Sequence, residues 1–440
     1  MFETIKNAWK VKEIRSKIYL TLFLIFLFRL GSFIPVAGVS IEGFRAAFGS
    51  QSGDAINFLN IMDSIVGGAL SQGTIFALGI SPYINASIIM QLLTVGIPKL
   101  ERLQKEGEEG RKKIAQYTRL FTVVLAIVQA VGILLGYRGS GLIDASALEI
   151  IGSPLWLMYV IIVAQFTAGT ALAMWIGERI TDHGVGNGIS MLIFAGILAS
   201  AGAHIRSTIE LAAGGNTESV WHLISFVVIV VVLFALIVWV DLAERKIPVQ
   251  YAKQVKGRKM YGGQSTHIPI KVNASGVMPL IFAFAIISFP SLIISMFNIQ
   301  GSFASWLTSN LMVGTWLYTL LVSLLILFFA FFYAQIQFNP EDVAKNIQGY
   351  GGFIPGIRPG NPTTEYLRKI SNRITFFGAV FLALMALVPS LVLSLAMPGN
   401  TGLVNAISTT GLLIIVSVAL ELDKQLESQI MMRHYKGFLD

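Results

Sequence analysis

Side chains that commonly carry catalysis or bind metals are few in this chain, and they form no recognisable constellation. The 440 residues include no cysteine, which excludes disulfides, thiolate metal sites and cysteine nucleophiles. Five histidines occur without an HExxH spacing, which argues against a zinc enzyme. The GxxxxGK[ST] loop that cradles nucleotide phosphates is also absent. We therefore expect no catalytic residue, no metal and no cofactor.

The basic residues show a clearer pattern. The formal net charge is +8, and a basic balance can indicate nucleic-acid binding. However, 54% of the residues are hydrophobic and only 13% are charged, whereas soluble domains carry about 25% charged residues. A chain so poor in charge could not easily cover its surface in water, and a bilayer removes that difficulty. The composition therefore favours a membrane protein.

Apolar stretches long enough to cross a bilayer, about 20 residues, recur along the chain. Trp221–Val240 carries no formal charge, and 272–340 lacks Asp, Glu, Lys and Arg over 69 residues, so it must contain two spans. The stretch 374–420 is broken near Pro398 and also contains two. In total the sequence predicts ten transmembrane helices, near 18–35, 75–97, 119–137, 154–177, 188–204, 221–240, 275–296, 312–335, 374–396 and 403–420.

The distribution of Lys and Arg orients these spans. With the N-terminus inside, 28 of the 32 basic residues lie inside, three lie outside, and Arg29 lies within the first span. Positive charge marks the cytoplasmic side, so both termini are predicted to be cytoplasmic, and we expect no DNA binding. Residues 1–17 are predicted to form an amphipathic surface helix. No cleavable signal peptide is expected, because no small-residue cleavage site follows the first apolar run.

Ten spans divide into two sets of five, and an odd number per half gives the halves opposite orientations. Inverted halves with a path between them are common in transport proteins. The sequence predicts an all-α polytopic membrane protein with an N-terminal half over 1–203 and an external hinge loop over 204–220. A C-terminal half over 221–420 and a cytoplasmic tail over 421–440 follow.

Three connecting segments are unusual. The inside loops 241–273 and 339–373 are long, basic and rich in Gly and Pro. Long loops are often functional, although a solvated connector is the alternative. Outside, 58–70 is predicted to form a short, weakly apolar helix that is too short to cross the membrane. Such a segment either lies at the interface or re-enters the membrane within a protein cavity.

Two stretches carry the most specific patterns: 74–93, TIFALGISPYINASIIMQLL, and 174–190, MWIGERITDHGVGNGIS. Both closely resemble the two signature segments of the SecY protein-translocation channel family. The segments 264–273, QSTHIPIKVN, and 356–360, GIRPG, resemble the family's loop before the seventh span and its last long cytoplasmic loop. The resemblance covers essentially the whole chain in order, and the bacterial form of the family fits best.

Isoleucine pairs in these segments acquire a role through the resemblance. Ile84 and Ile88 are four apart, so they project from one helix face. Taken alone, such a pair indicates helix packing or lipid contact. The resemblance implies a constriction, or pore ring, around a central pore, and an apolar collar resists hydrated ions by dewetting. The implied ring residues are Ile84, Ile88, Ile189, Ile193, Ile281 and Ile414.

The short outer helix matches the family's plug, predicted over about 57–72, which favours the re-entrant interpretation. Its small residues would let it pack closely beneath the ring and leave easily. The implied plug residues are Phe58, Ile61, Met62, Ile65, Gly67, Gly68, Ala69 and Leu70.

The resemblance also implies a lateral gate, between spans two and three on one side and spans seven and eight on the other. Polar groups at membrane depth usually pair across helices, so Gln91 and Asn187 are expected to strengthen the gate, with ordinary helix-packing hydrogen bonds as the alternative. A proline can bend its span. The candidate gate residues are Asn85, Ser87, Gln91, Gln129, Asn187, Phe289 and Pro290.

The two basic loops match the region where the family docks the ribosome or the motor ATPase SecA. Basic loops suit ribosomal RNA phosphates and equally an acidic motor surface, so both partners stay open. The candidate docking residues are Lys253, Lys256, Arg258, Lys259 and Arg358. The resemblance further implies the partner subunits SecE and SecG, a bacterial plasma membrane, and unfolded polypeptides as cargo.

Two other classes of protein compete with this interpretation. A secondary transporter usually places ionisable residues near the bilayer centre, but the predicted spans are almost free of them, with Arg29 the main exception. A membrane-embedded enzyme needs an acid–base or metal constellation, which the scattered histidines and sparse carboxylates do not offer.

Overall fold

The computed structural model describes residues 2–49, 63, 65–136, 141–143, 155–213, 217–251, 254–256, 259–261, 265–273, 276–297, 299, 301–311, 315–396 and 409–436. Within these ranges the chain is predominantly helical. The N-terminal helices are α1 (Phe2–Lys10), α2 (Lys12–Gly31), α3 (Ile41–Gly49), α4 (Ser81–Gly96), α5 (Pro98–Lys105), α6 (Glu108–Gly136), α7 (Leu155–His183), α8 (Gly188–Ala213) and α9 (Thr217–Asp241). The later helices are α10 (Met278–Phe297), α11 (Ser302–Asn310), α12 (Trp316–Gln337), α13 (Pro340–Gly349), α14 (Asn361–Ala396) and α15 (Thr409–Lys436).

Each of the ten predicted spans overlaps one of these helices, in the order α2, α4, α6, α7, α8, α9, α10, α12, α14 and α15. Six helical segments in the described part of the chain are long and apolar enough to cross a membrane. The pair α4 and α5, which is bent by 99°, makes a seventh candidate. A helical, multi-span membrane protein is therefore confirmed. The count of ten and the inverted relation of the halves stay predictions.

The residues group into two compact units. The first consists of Met1–Leu223, Ala285–Tyr318 and Gly399–Asp440, and the second of Ile224–Phe284 and Thr319–Pro398. In the first unit α15 packs against α8 and α1, which explains why the C-terminal segment groups with the N-terminal helices. The core of this unit contains two apolar clusters, one around Phe28 and Phe76 and the other around Phe44 and Phe166.

The two ends of the described chain meet in the first unit. Ala8 and Ile14, from α1 and the start of α2, share an apolar cluster with Val185 and with Leu426 of α15. Of the amphipathic helix that the sequence predicts over 1–17, the structure forms Phe2–Lys10, because the helix of the first span already begins at Lys12. Because the N-terminal and C-terminal segments pack together, both must lie on the same side of a membrane. That arrangement agrees with an even number of spans.

The second unit contains a small sheet that the sequence did not predict. Strand β1 (Glu244–Tyr251) pairs antiparallel with β4 (Ser265–Lys271) and with β5 (Gly352–Phe353), whereas β2 (Gln254–Lys256) pairs with β3 (Lys259–Tyr261). In β1, Ile247 and Val249 alternate with exposed residues and face a cluster that includes Ile347 of α13. Period-two alternation is the sign of a half-buried strand. The loops predicted over 241–273 and 339–373 therefore share one folded core.

Several helices also run past their predicted boundaries. The hinge loop predicted over 204–220 is helical in its described residues, because α8 continues to Ala213 and α9 begins at Thr217. Charged residues end an apolar run without ending a helix, and Arg206 and Glu210 form an i,i+4 ion pair at 2.9 Å. In the other direction, 75–80 forms turns, and the second span becomes helical only at Ser81. Pro82 suits that helix start.

Candidate pore ring, plug and gate

Five of the six predicted ring residues lie in the first unit, on three helices. Ile84 and Ile88 are on α4, Ile189 and Ile193 on α8, and Ile414 on α15. Ile84 and Ile189 pack against the same apolar cluster, and α8 contacts α15. The structure thus places Ile84 and Ile189 against one shared cluster. The sixth residue, Ile281, lies on α10 in the second unit and is half-buried.

Glycines let α7 and α8 approach each other closely where α8 begins. A Cβ added at Gly188 would lie 1.9 Å from the carbonyl oxygen of Gly177, so only glycine fits there. The Oδ1 of Asn187 accepts hydrogen bonds from the backbone N–H groups of Ile189, at 3.1 Å, and Ser190, at 3.3 Å. Asn187 is therefore the N-cap of α8, a local function typical of asparagine. This close approach fixes where Ile189 points.

The plug segment is described at Asp63 and from Ile65 onward, so Phe58, Ile61 and Met62 lie outside the described residues. A helical stretch that includes Ile65 and Val66 ends at Gly67 and Gly68, whose φ angles are +78° and +83°. Such left-handed angles favour glycine and commonly terminate helices. Asp63 ties the turn together, because its carbonyl oxygen accepts from Gly68 N–H at 2.8 Å and its Oδ1 accepts from Ser71 N–H at 2.9 Å.

The turn over 65–71, which we call the plug turn, is deeply packed within the first unit. Ala69 and Leu70, both predicted plug residues, are buried, and Ile65 is half-buried. Val66 is only 2% exposed and was missed by the sequence analysis. The sequence feature that could have identified Val66 is its apolar side chain directly between Ile65 and the glycine pair.

Two glycines and one arginine contact the plug turn, and we call these three residues, Gly196, Gly79 and Arg29, the plug seat. A Cβ added at Gly196 of α8 would lie 2.0 Å from the carbonyl oxygen of Ile65, and one added at Gly79 would lie 2.8 Å from Cγ2 of Val66. Arg29 of α2 donates from Nη1 to the carbonyl oxygen of Gly67 at 3.3 Å. The backbone of the turn thus lies directly against α8. None of these contacts was predicted.

Six of the seven predicted gate residues lie on two helix pairs, whereas Asn187 caps α8. On the first side α4 packs against α6. Asn85 and Ser87 are half-buried, and Gln91 donates from Nε2 to Oγ of Ser87 at 3.3 Å along α4. Gln129 of α6 is 4% exposed, and its Oε1 accepts no hydrogen bond from the described residues. The bond from Gln91 to Ser87 stays within α4, as in ordinary helix packing.

On the second side α10 packs against α12 through aromatic rings. Phe282 stacks on Tyr333 with ring centroids 4.9 Å apart, and it contacts Phe329 at 5.6 Å. Helix α10 continues through Pro290, and Phe289 lies on the same helix, although its side chain is outside the described residues. Spans seven and eight are therefore neighbours, as a lateral gate requires.

The docking residues are described in part. Lys253 and Arg258 lie outside the described residues, whereas Lys256 and Lys259 are paired across the β2–β3 hairpin. Arg358 is exposed on a turn between Gly356 and Gly360, which have φ angles of +83° and +98°. Its carbonyl oxygen accepts from Oγ1 of Thr363 at 2.9 Å, at the start of α14. The turn is therefore fixed while the guanidinium faces solvent.

An ion pair joins α6 to α7. Arg119 of α6 donates from Nε to Oε1 of Glu178 on α7 at 2.6 Å, and Arg179 lies over the ring of Trp175 at 5.4 Å. Within the described part of the chain, no three His, Asp or Glu side chains gather closely enough to hold a metal ion. The described site thus offers apolar packing surfaces, a glycine turn and an exposed basic residue, Arg358.

The chain is similar to known proteins over most or all of its length. A family model described as SecY matches residues 74–422. The protein translocase subunit SecY of Streptomyces coelicolor is 45% identical over 446 residues, covering 100% of both chains. That of Thermotoga maritima is 41% identical over 441 residues, covering 100% of this chain and 98% of the relative.

Solved structures share the fold at lower identity. One, described as a protein conducting channel, has a TM-score of 0.67 and 21% identity, and covers 95% of this chain and 93% of the other. Sec61 in a canine ribosome-channel complex from the endoplasmic reticulum has a TM-score of 0.64 and 19% identity, with the same coverage.

Proposed function

We propose, because the chain belongs to the SecY family, that it is the channel subunit of a protein translocase. It passes unfolded polypeptides across the membrane and releases apolar segments sideways into the lipid. The observation that carries this proposal is the convergence of Ile84 and Ile189, from the two signature segments, on one apolar cluster. Apolar side chains that converge in this way form a constriction without any catalytic group.

The ring works by excluding water. The six isoleucines, Ile84, Ile88, Ile189, Ile193, Ile281 and Ile414, form a collar in which a hydrated ion would lose its shell without gaining a partner. Their contacts are not directional, so the same collar parts around a polypeptide without breaking hydrogen bonds. The plug turn, seated on α8, closes the path when no polypeptide is present.

The lateral gate opens between α4 and α6 on one side and α10 and α12 on the other. The packing of each pair supports its moving as one body. An apolar segment that enters the channel leaves through this opening because lipid solvates it better than the pore does. Of the two polar side chains expected to strengthen the closed gate, we keep Gln91, because Asn187 caps α8. We add Gln129, which is buried on the neighbouring helix.

The channel is passive and takes its driving force from a partner. The sequence contains no phosphate-binding GxxxxGK[ST] loop. The exposed Arg358 and the hairpin that carries Lys256 and Lys259 suit docking of SecA or the ribosome, and the canine relative was solved with a ribosome. SecE and SecG complete the complex. The 28 basic residues predicted inside support cytoplasmic termini in a plasma membrane.

Ion conductance through the reconstituted complex tests the ring. Replacing Ile84 and Ile189 together by glycine is expected to make a planar bilayer leaky to small ions, because the collar loses both side chains of the shared cluster. The matched control replaces the same two residues by leucine, which keeps the collar apolar. Unchanged conductance in the glycine variant, with polypeptide transport intact, would reject the ring.

A further inference from the structure

Arg29 is the cation that the proposed function leaves unexplained. It is the only charged residue between Ile18 and Gly31 in the apolar part of α2. Among the described residues it forms no ion pair. An ionisable side chain is energetically unfavourable at membrane depth, so one that occurs there usually marks a functional position. Its contacts indicate what that function is.

The guanidinium of Arg29 contacts the plug turn directly. Its Nη1 donates to the carbonyl oxygen of Gly67 at 3.3 Å, and its Cζ lies 5.6 Å from the ring centroid of Phe33. A Cβ added at Gly67 would lie 2.2 Å from that same Nη1 and 3.0 Å from the carbonyl oxygen of Gly196. The turn therefore packs at Gly67 against both the guanidinium of Arg29 on α2 and the backbone of α8.

The chemistry of this contact suits a guanidinium. The helical stretch that includes Ile65 and Val66 ends at Gly67, so the Gly67 carbonyl points beyond the helix without an intrahelical partner. The C-terminal end of a helix carries partial negative charge and favours a cation. A hydrogen bond from a charged donor is stronger than one between neutral groups. Phe33 orients the guanidinium plane through a cation–π contact.

We propose that Arg29 is a positioning residue that latches the plug turn to α2 and so keeps the resting channel sealed. The proposal rests on the channel function proposed above. The latch consists of one bond to a backbone carbonyl, so the plug can leave and return without rearranging a side-chain network.

A single cysteine at Val66 reports the position of the plug. The chain has no cysteine, and Val66 is 2% exposed beside Gly67, so Val66→Cys introduces one protected thiol. In the complete translocase complex in liposomes, Arg29→Met should accelerate labelling by a membrane-impermeant maleimide about 10- to 100-fold. That is the change in an opening equilibrium that follows from losing one hydrogen bond to a charged group. Ion conductance should rise in the same variant.

Three matched variants separate a latch from a general structural role. Arg15→Met removes a cation from the other end of α2 and should leave labelling unchanged. Arg29→Lys keeps a charged donor and should label more slowly than Arg29→Met. Ala173→Cys, buried in α7, should stay protected beside Arg29→Met.

Two results would overturn the latch: unchanged labelling of Val66→Cys in the Arg29→Met background, or an equal increase at Ala173→Cys. If the latch fails while the glycine variants at Ile84 and Ile189 leak, the channel proposal survives. If those ring variants stay sealed and the complex transports no polypeptide, the channel proposal itself fails.

Discussion

Substituting Gly196 by alanine tests the closest contact between α8 and the plug turn. The added Cβ would lie 2.0 Å from the carbonyl oxygen of Ile65 and 3.3 Å from the carbonyl carbon of Val66. An ordinary carbon-to-oxygen contact is about 3.3 Å, so the turn or the helix must shift by about 1.3 Å. The atom in the way is backbone, which cannot rotate aside as a flexible side chain could. The seated plug is therefore destabilised.

The magnitude follows from overpacking in a close-packed site, about 1–3 kcal/mol. Alanine also favours the helix over glycine by about 1 kcal/mol, but this gain is the same whether the plug is seated or displaced. The equilibrium between the two positions is therefore expected to shift by the full overpacking energy, about 5- to 150-fold.

The assay measures ion conductance of the reconstituted complex together with maleimide labelling of Val66→Cys. The control is Gly202→Ala, which lies on the same helix and has open space around its added Cβ. It gains the same helix propensity without touching the plug. Gly196→Ala should leak and label faster, and Gly202→Ala should do neither. A sealed Gly196→Ala channel, or two equally leaky variants, would refute the proposed seat.

Three further outcomes are expected. Arg358→Glu should impair motor-driven transport of a secretory precursor, because an exposed basic group that meets an acidic surface is reversed; normal ATP-driven transport would exclude the docking role. Asn273→Ala should lower the unfolding free energy by about 1–3 kcal/mol, since Asn273 Nδ2 donates to Asp241 Oδ1 at 2.9 Å; an unchanged melting temperature in detergent would show that the bond is dispensable. Cysteines at Ile84 or Ile281 should crosslink to a stalled precursor, and crosslinks to loops alone would reject the path.

The positions of the membrane helices could be predicted because their cause is local. A charge-free run such as Trp221–Val240 allows a helix in lipid and little else, and α9 covers it. The ends of the helices were less predictable. Hydropathy falls where a helix leaves the bilayer, but the backbone hydrogen bonds continue, so α14 begins at Asn361 instead of at the predicted 374.

The sheet and the plug seat could not be predicted because their causes are nonlocal. In β1 only Ile247 and Val249 are buried, and their partners lie in β4 and in α13, about 20 and 100 residues further on. The bond from Arg29 to Gly67 spans 38 residues. A sequence pattern marks Arg29 as unusual for its span, but it does not say which carbonyl the guanidinium meets.

The way the plug is seated fits a seal that must open repeatedly. Interlocking large side chains would resist removal, because each would have to leave a fitted pocket. Here Gly196 and Gly79 present almost no side chain, so the Ile65 carbonyl lies against the backbone of α8 and the Val66 side chain lies against Gly79. Such a surface excludes water but separates cleanly, and Arg29 then adds one directional bond. In the proposed mechanism, glycine sets how closely the seal fits and Arg29 sets how firmly it holds. Enlarging Gly196 and truncating Arg29 should therefore both open the channel, the first by preventing close contact and the second by releasing it.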